Sequence, residues 1–244
     1  MRLDVFLYES KKTISRSRAK ELIEKGAVSI NGQKVLKPSF AIDENFCADC
    51  ITIDSDEDMY VSRGGYKLAA ALRDFDVDVS EVVALDIGAS TGGFTDCLLK
   101  NGAKKVYAVD SGKGQLSMQL LQDDRVVSIE NYNARYMKRE DFSDEIELAV
   151  MDVSFISQTL IIPSLADVIS HSGMFISLIK PQFEVGKSNV GKNGIVKSDK
   201  ARREAVENVC NFAKMHGLEL QGVIQSPIKG GDGNIEFLAC FKRS

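Results

Sequence analysis

The run Val82-Val-Ala-Leu-Asp-Ile87 is apolar but for one acid and breaks directly into Gly88-Ala-Ser-Thr-Gly-Gly93, after which a helical stretch opens. A short apolar run closed by glycine reads as a buried parallel strand. The same theme recurs at Lys105–Asp110, Val126–Glu130, Leu148–Asp152 and Met174–Lys180, with helical stretches between, among them 157–171 and 198–216. Strand alternating with helix implies βαβ units and a doubly wound sheet. The last two apolar runs, near 218–225 and 235–242, have no helix between them, and an antiparallel edge pair is expected there. The chain after residue 62 is thus expected to be an α/β, Rossmann-like domain with a mixed, mostly parallel sheet.

The first quarter of the chain has a different pattern. Residues 2–10 and 15–25 read as helices, with apolar stripes Leu3, Phe6, Leu7 and Ala19, Leu22, Ile23. Ser15 is placed to cap the second helix and Gly26 to end it. Asn31-Gly32, between the alternating residues of Val28–Val35, signals a hairpin. Short strands and turns are expected over 36–53, and Asp54-Ser-Asp-Glu-Asp58 is a polar acidic run. The expected organisation is a small α+β domain over 1–54, a linker over 55–62 and the α/β domain over 63–244.

Composition removes several classes of function. The longest apolar runs, Leu68–Leu72 and Phe237–Phe241, are five residues each, and a membrane helix needs about 20. Asp4 and Glu9 interrupt any signal-peptide core. Five cysteines and two histidines fit a reducing, cytoplasmic setting better than a disulfide framework. Cys47-Ala-Asp-Cys50 has no second ligand pair at zinc spacing, so no metal is expected and the pair reads as small apolar residues near a strand. The formal net charge is −4, yet residues 1–40 hold nine Lys/Arg against four Asp/Glu and residues 180–203 hold seven against two. Local basic patches on an acidic protein suggest an anionic ligand at defined places, with solvated helix faces as the alternative.

The glycine loop narrows the ligand. It is not G-x-G-x-x-G, because position 90 is serine, and no Gly-Lys-Ser/Thr follows as in a P-loop. Asp110 ends the second strand, 22 residues after Gly88, and a carboxylate there can accept both hydroxyls of a ribose. A nucleoside site without a phosphate cradle suits S-adenosylmethionine, with a nicotinamide variant as the alternative. Asp152-Val-Ser-Phe155 lacks the Pro-Pro-aromatic element of base-amino methylation, and no proline precedes a cysteine as in base-carbon methylation. Lys180 ends a buried strand. An ammonium there must pair with a carboxylate, snorkel outward, or serve as a base, which requires a lysine brought from ~10.4 toward ~7–8.

Residues 2–37, with Arg2-Leu-Asp, Ser15-Arg-Ser-Arg-Ala, Gly26-Ala-Val and Asn31-Gly32, resemble an S4 RNA-binding module. Tyr60-Val-Ser-Arg-Gly-Gly-Tyr-Lys-Leu68, the 86–96 loop, Met151–Ser157, Ile179–Glu184 and Gly233-Asn-Ile-Glu-Phe-Leu238 resemble the TlyA (hemolysin A) family, related to the FtsJ ribose methyltransferases. The resemblance spans essentially the whole chain. It implies a class I S-adenosylmethionine methyltransferase fold and 2′-O-methylation of cytidine in ribosomal RNA, within ribosomal subunits. It puts a Lys-Asp-Lys-Glu tetrad on Lys67, Asp152, Lys180 and Glu236. Lys180 would be the base, its pKa depressed partly by Lys67; Asp152 would orient it, and Lys67 and Glu236 would position the ribose and its phosphate. The cofactor would lie on Gly88, Ser90, Thr91, Gly92, Gly93 and Asp110, with Asn133 at the adenine unless it is only a turn residue. Arg2, Arg16, Arg18, Lys20 and Arg63 would contact RNA, and the basic 187–203 segment could close over substrate.

Three other functions compete: an S4 assembly factor without catalysis, a membrane-acting hemolysin, and a nicotinamide oxidoreductase. The complete tetrad counts against the first, and the lack of an insertion segment against the second. The loop and the RNA module count against the third. The family has long forms that modify both ribosomal subunits and short forms that modify the large one. This chain starts at the S4 motif and ends just after its last apolar run, so the large subunit alone is expected.

Overall fold

The computed structural model describes residues 1–10, 12–13, 16–43, 46–53, 60–186 and 189–244, and for residues 17, 18 and 49 the backbone only. The chain divides into two compact units, Met1–Val61 and Ser62–Ser244. Ser15 and the acidic run 54–58, the expected cap and the core of the expected linker, lie outside the described residues.

In the first unit, α1 (Leu3–Glu9) and α2 (Arg16–Glu24) precede a small sheet of β1 (Val28–Ile30), β2 (Gln33–Lys34) and β3 (Ile51–Ile53), ordered β2-β1-β3. The two predicted stripes meet in one core with Val28, Ile42 and Ile51. Asn31 (φ 50°) and Gly32 (φ 79°) are both left-handed, which is what a two-residue hairpin turn demands. Gly26, at φ 72°, ends α2 as expected.

The second unit is one seven-stranded sheet. Its strands are β4 (Val83–Ile87), β5 (Lys105–Val109), β6 (Val126–Ile129), β7 (Ile146–Met151), β8 (Ile169–Ile179), β9 (Leu218–Gln225) and β10 (Phe237–Arg243). The order is β6-β5-β4-β7-β8-β10-β9. The first five are parallel, while β10 runs antiparallel to both β8 and β9. The last two strands do pair at the edge, but β10 slots inside β9, so Leu238–Phe241 are fully buried.

Alternation assigns the two faces. Val83, Leu85 and Ile87 join the core beneath α6 (Ile162–Val168) and α8 (Asp199–Met215). The opposite face, with Asp86, meets α4 (Gly93–Lys100), which packs on α3 (Gly64–Asp74). A short α5 (Met118–Leu121) follows β5.

The helix expected over 157–171 is shorter than its sequence pattern. A 3-10 turn at Gln158–Leu160 precedes α6, whose first turn holds Pro163, a residue that starts a helix but cannot continue one. At the far end, pairing of Ile169 with Ile146 draws residues 169–171 into β8. A register jump to Leu148↔Met174 and a left-handed Ser172 absorb the irregularity.

Candidate active site

Parallel strands place the loops after β4, β5, β7 and β8 along one edge of the sheet, the edge at which open α/β sheets bind ligands. The loop after β4 turns at Gly88 (φ 82°), where a Cβ would stand 2.6 Å from the Asp152 carbonyl oxygen. Only glycine lets the two strand ends come this close. Asp110 closes the loop from β5: its Oδ2 accepts from the Ser90 N–H at 2.8 Å and its Oδ1 from Gly112 N–H at 2.7 Å. A carboxylate keeps further lone pairs for a ligand after two such bonds.

Beneath the loop, Asp86 is fully buried. Its Oδ2 accepts from the Thr95 amide at 2.9 Å and the Thr95 hydroxyl at 2.7 Å, while Oδ1 has no partner. Loss of water pushes its pKa up to about 7; the Thr95 bonds oppose the rise, and the charges of Asp152 and Asp110 add to it.

Two adjoining cavities open above these strand ends. One, of about 400 Å³, is lined by Gly88, Ser90, Asp110 and Asn133 and walled by Ile87, Val109, Tyr132, Ile156 and Ile161. Phe155 joins the apolar wall, and Ser111, Gln115, Asp152 and Ser154 join the polar lining, so a cavity of small-ligand volume mixes both characters. The other is lined by Arg63, Lys67, Gly88, Ser90, Thr91, Gly93, Asp152, Ser154 and Lys180. The two share Gly88, Ser90, Asp152 and Ser154. Gly92 lines neither; at φ 95° it packs where a Cβ would strike Leu120 and Leu116. Asn133 Oδ1 accepts from the Arg135 N–H at 3.2 Å, the capping role of a turn residue, while it also lines the first cavity.

The four tetrad positions form two ion pairs. Lys67, on α3, donates to Glu236 Oε2 at 2.5 Å, and both side chains are buried. Gly230 leaves room for that carboxylate, since a Cβ there would lie 2.5 Å from Glu236 Oε1. Lys180 Nζ stands 2.6 Å from Asp152 Oδ1, an oxygen that accepts no hydrogen bond, so the contact is electrostatic. The hydrogen bond from Lys180 goes to Ser154 Oγ at 2.8 Å. Lys67 thus has its own counter-ion.

Several residues escaped sequence reasoning. Ser154 lies inside the Asp152–Phe155 motif, but its bond to Lys180 is a tertiary contact. Phe155 is 91% exposed beside this site, at φ 63°, with its ring 5.2 Å from that of Phe183. A bulky residue held left-handed is strained, and such strain concentrates at functional sites. Buried Asn234 donates to Gly194 O at 2.9 Å and accepts from Val196 N–H at 3.0 Å, which ties the basic segment to the turn before Glu236. Lys187 falls outside the described residues.

In the first unit, Arg2 bonds the buried Asp4 through Nε (2.9 Å) and Nη2 (3.1 Å), and Arg16 approaches the same carboxylate at 3.5 Å. Arg2, and to a lesser degree Arg16, holds the Asp4 carboxyl below its usual pKa. Lys20 pairs with Glu24 at 3.8 Å. The Arg18 side chain is outside the described residues. Cys47 is exposed and Cys50 half-buried, ahead of β3. No helix among the described residues is long and apolar enough to cross a membrane.

Residues 60–243 match the FtsJ-like methyltransferase family and residues 1–45 the S4 domain. The 16S/23S rRNA (cytidine-2′-O)-methyltransferase TlyA of Mycobacterium tuberculosis is 41% identical over 97% of this chain and 87% of its own. The 23S rRNA (cytidine-2′-O)-methyltransferase TlyA of Campylobacter jejuni is 36% identical over 97% of each. A solved Streptococcus thermophilus structure whose name carries the word hemolysin superposes with a TM-score of 0.78 at 44% identity, over all of this chain and 88% of that one.

Proposed function

Because the chain belongs to the TlyA family of S4-bearing, FtsJ-like methyltransferases, we propose that it methylates the 2′-hydroxyl of a cytidine in ribosomal RNA. The observation that carries this reading is Lys180, held against Asp152 and Ser154 where the two cavities meet.

The residues present fit S-adenosylmethionine. Asp110 has lone pairs for a ribose, Asn133 lies with Ile87, Val109 and Ile156 on a cavity of about 400 Å³, and Gly88 keeps the strand ends close beneath it. Bound there, the cofactor supplies an electrophilic methyl group on a sulfonium. The chain must hold a ribose hydroxyl in line with it and take up the hydroxyl proton. Lys180 Nζ, in its unprotonated form, is the group placed to accept that proton. Asp152 fixes Lys180 and makes the site hospitable to positive charge. Lys67, steered by Glu236, and Arg63 line the substrate side, where a phosphate would sit. Phe155 offers a face on which the target base can stack.

Arg2, Arg16, Arg18 and Lys20 form the proposed RNA surface of the S4 domain, with contacts that position more than they read sequence. The proposed substrate is the large subunit, assembled or assembling, in the cytoplasm. The named relatives include both kinds, a 36% identical one named for 23S rRNA and a 41% identical one named for 16S/23S rRNA. Incubating purified small and large subunits separately with labelled S-adenosylmethionine tests this choice. Label on the large subunit only is expected, and label on both overturns it.

A further inference from the structure

Glu184 ends the four-residue helix α7 (Pro181–Glu184) that follows Lys180. Its carboxylate is half-buried and each oxygen accepts one bond: Oε2 from Ser157 Oγ at 2.6 Å and Oε1 from the Gln158 N–H at 2.9 Å. Both donors belong to the loop after β7, the loop that carries Asp152, Ser154 and Phe155. Gln158 then reaches back to β8, donating to Leu178 O at 2.7 Å and accepting from Ser177 Oγ at 2.5 Å. Burial raises the Glu184 pKa, and the two bonds oppose that rise.

These bonds form a closed circuit. It runs from Lys180 through α7 to Glu184, across to Ser157 and Gln158, and back to β8 two residues before Lys180. Phe183, adjacent to Glu184, meets Phe155 across the same gap. We infer that Glu184 is a positioning residue that sets the separation of the Lys180 loop from the Asp152–Phe155 loop. The inference rests on the methyl-transfer reading for its catalytic consequence, although the clamp itself is a matter of geometry. A carboxylate that merely capped the 3-10 turn at Gln158 would support stability and leave turnover alone.

The test compares wild type, Glu184→Ala and Glu184→Gln. A misplacement near 1 Å can cost on the order of 100-fold in rate, so Glu184→Ala should lower kcat by about 10- to 100-fold. S-adenosylmethionine affinity and the KM for RNA should stay near wild type. Glu184→Gln, which keeps the length and an acceptor for the Gln158 N–H, should recover most of the loss. The chain has no tryptophan, so Phe155→Trp gives a single tryptophan that can be excited apart from the tyrosines. Its anisotropy should fall when Glu184→Ala is added and hold with Glu184→Gln.

Unchanged kcat in Glu184→Ala with a lowered Tm would overturn the inference, as would unchanged anisotropy. Should Glu184→Ala fail to fold, Ser157→Ala removes one of the two bonds. A smaller fall in kcat is then expected, and wild-type kcat again overturns the inference. If wild type transfers no methyl group to RNA, the parent reading fails, and the anisotropy series still decides the clamp.

Discussion

Lys67 and Glu236, 169 residues apart in the chain, form a buried ion pair at 2.5 Å that joins α3 to the residue before β10. The pair brings the first and last motifs of the methyltransferase domain to one place. Removing one partner of a buried pair strands a charge, whereas replacing both by apolar groups of similar volume often restores stability. Lys67→Met or Glu236→Leu alone should cost about 3–5 kcal/mol in urea unfolding, and the double variant much less. Methyl transfer should stay lost in all three. A double variant that regains activity would remove the pair from the reaction.

Lys180→Ala should lower methyl transfer by roughly 100- to 10,000-fold, the usual contribution of a general base. Cofactor affinity should hardly change, because Lys180 lines the substrate cavity and not the slot beside Asp110. Single-turnover rates and equilibrium dialysis separate the two. Wild-type turnover would mean that another group takes the proton.

Phe155 is held left-handed at φ 63°, which costs about 1–2 kcal/mol for a residue with a Cβ. Phe155→Gly relieves that strain and should be at least as stable as wild type. It should weaken RNA binding by about 1–3 kcal/mol if a base stacks there. Stability gained together with RNA affinity reduced is the signature sought. Unchanged affinity would return Phe155 to a packing role beside Phe183.

The buried Asp86 carboxyl titrates near 7 in the folded protein against an ordinary 3.8. A raised acid binds its proton more tightly in the folded state. Its contribution to stability is therefore full below the unfolded value and is lost as pH rises through about 7. Between about pH 4 and about pH 8, wild type should lose unfolding free energy relative to Asp86→Asn. Parallel stability curves would show that Asp86 does not titrate in this range.

Arg16→Ala with Arg18→Ala should weaken RNA binding and reduce the salt slope by about 0.7–0.9 for each phosphate that is no longer neutralised. Arg2 is the poorer probe, since its two bonds neutralise the buried Asp4. An unchanged slope would take these arginines out of the interface.

The sheet was legible in the sequence because buried parallel strands are continuous apolar runs, and Gly26 and Asn31-Gly32 named their own turns. The extent of α6 was not, because Ile169 takes its partner from Ile146 in a distant strand. At the site, motifs gave the residue types at 67, 152, 180 and 236, but the pairing within them needs the fold. Spacing alone does not show that Lys67 goes to Glu236 and Lys180 to Asp152 and Ser154. Phe155 and Glu184 were invisible as functional residues, since exposure, a left-handed backbone and a cross-loop bond leave no local mark.

Ribose methylation by a site built on Lys180 has one direct test. Large ribosomal subunits lacking the modification are incubated with S-adenosylmethionine and either wild type or Lys180→Ala, and their RNA is then extracted, digested to nucleosides and read by mass spectrometry. The expected result is 2′-O-methylcytidine with wild type and none above background with Lys180→Ala. A methyl group on a base, or equal ribose methylation by both proteins, would contradict it.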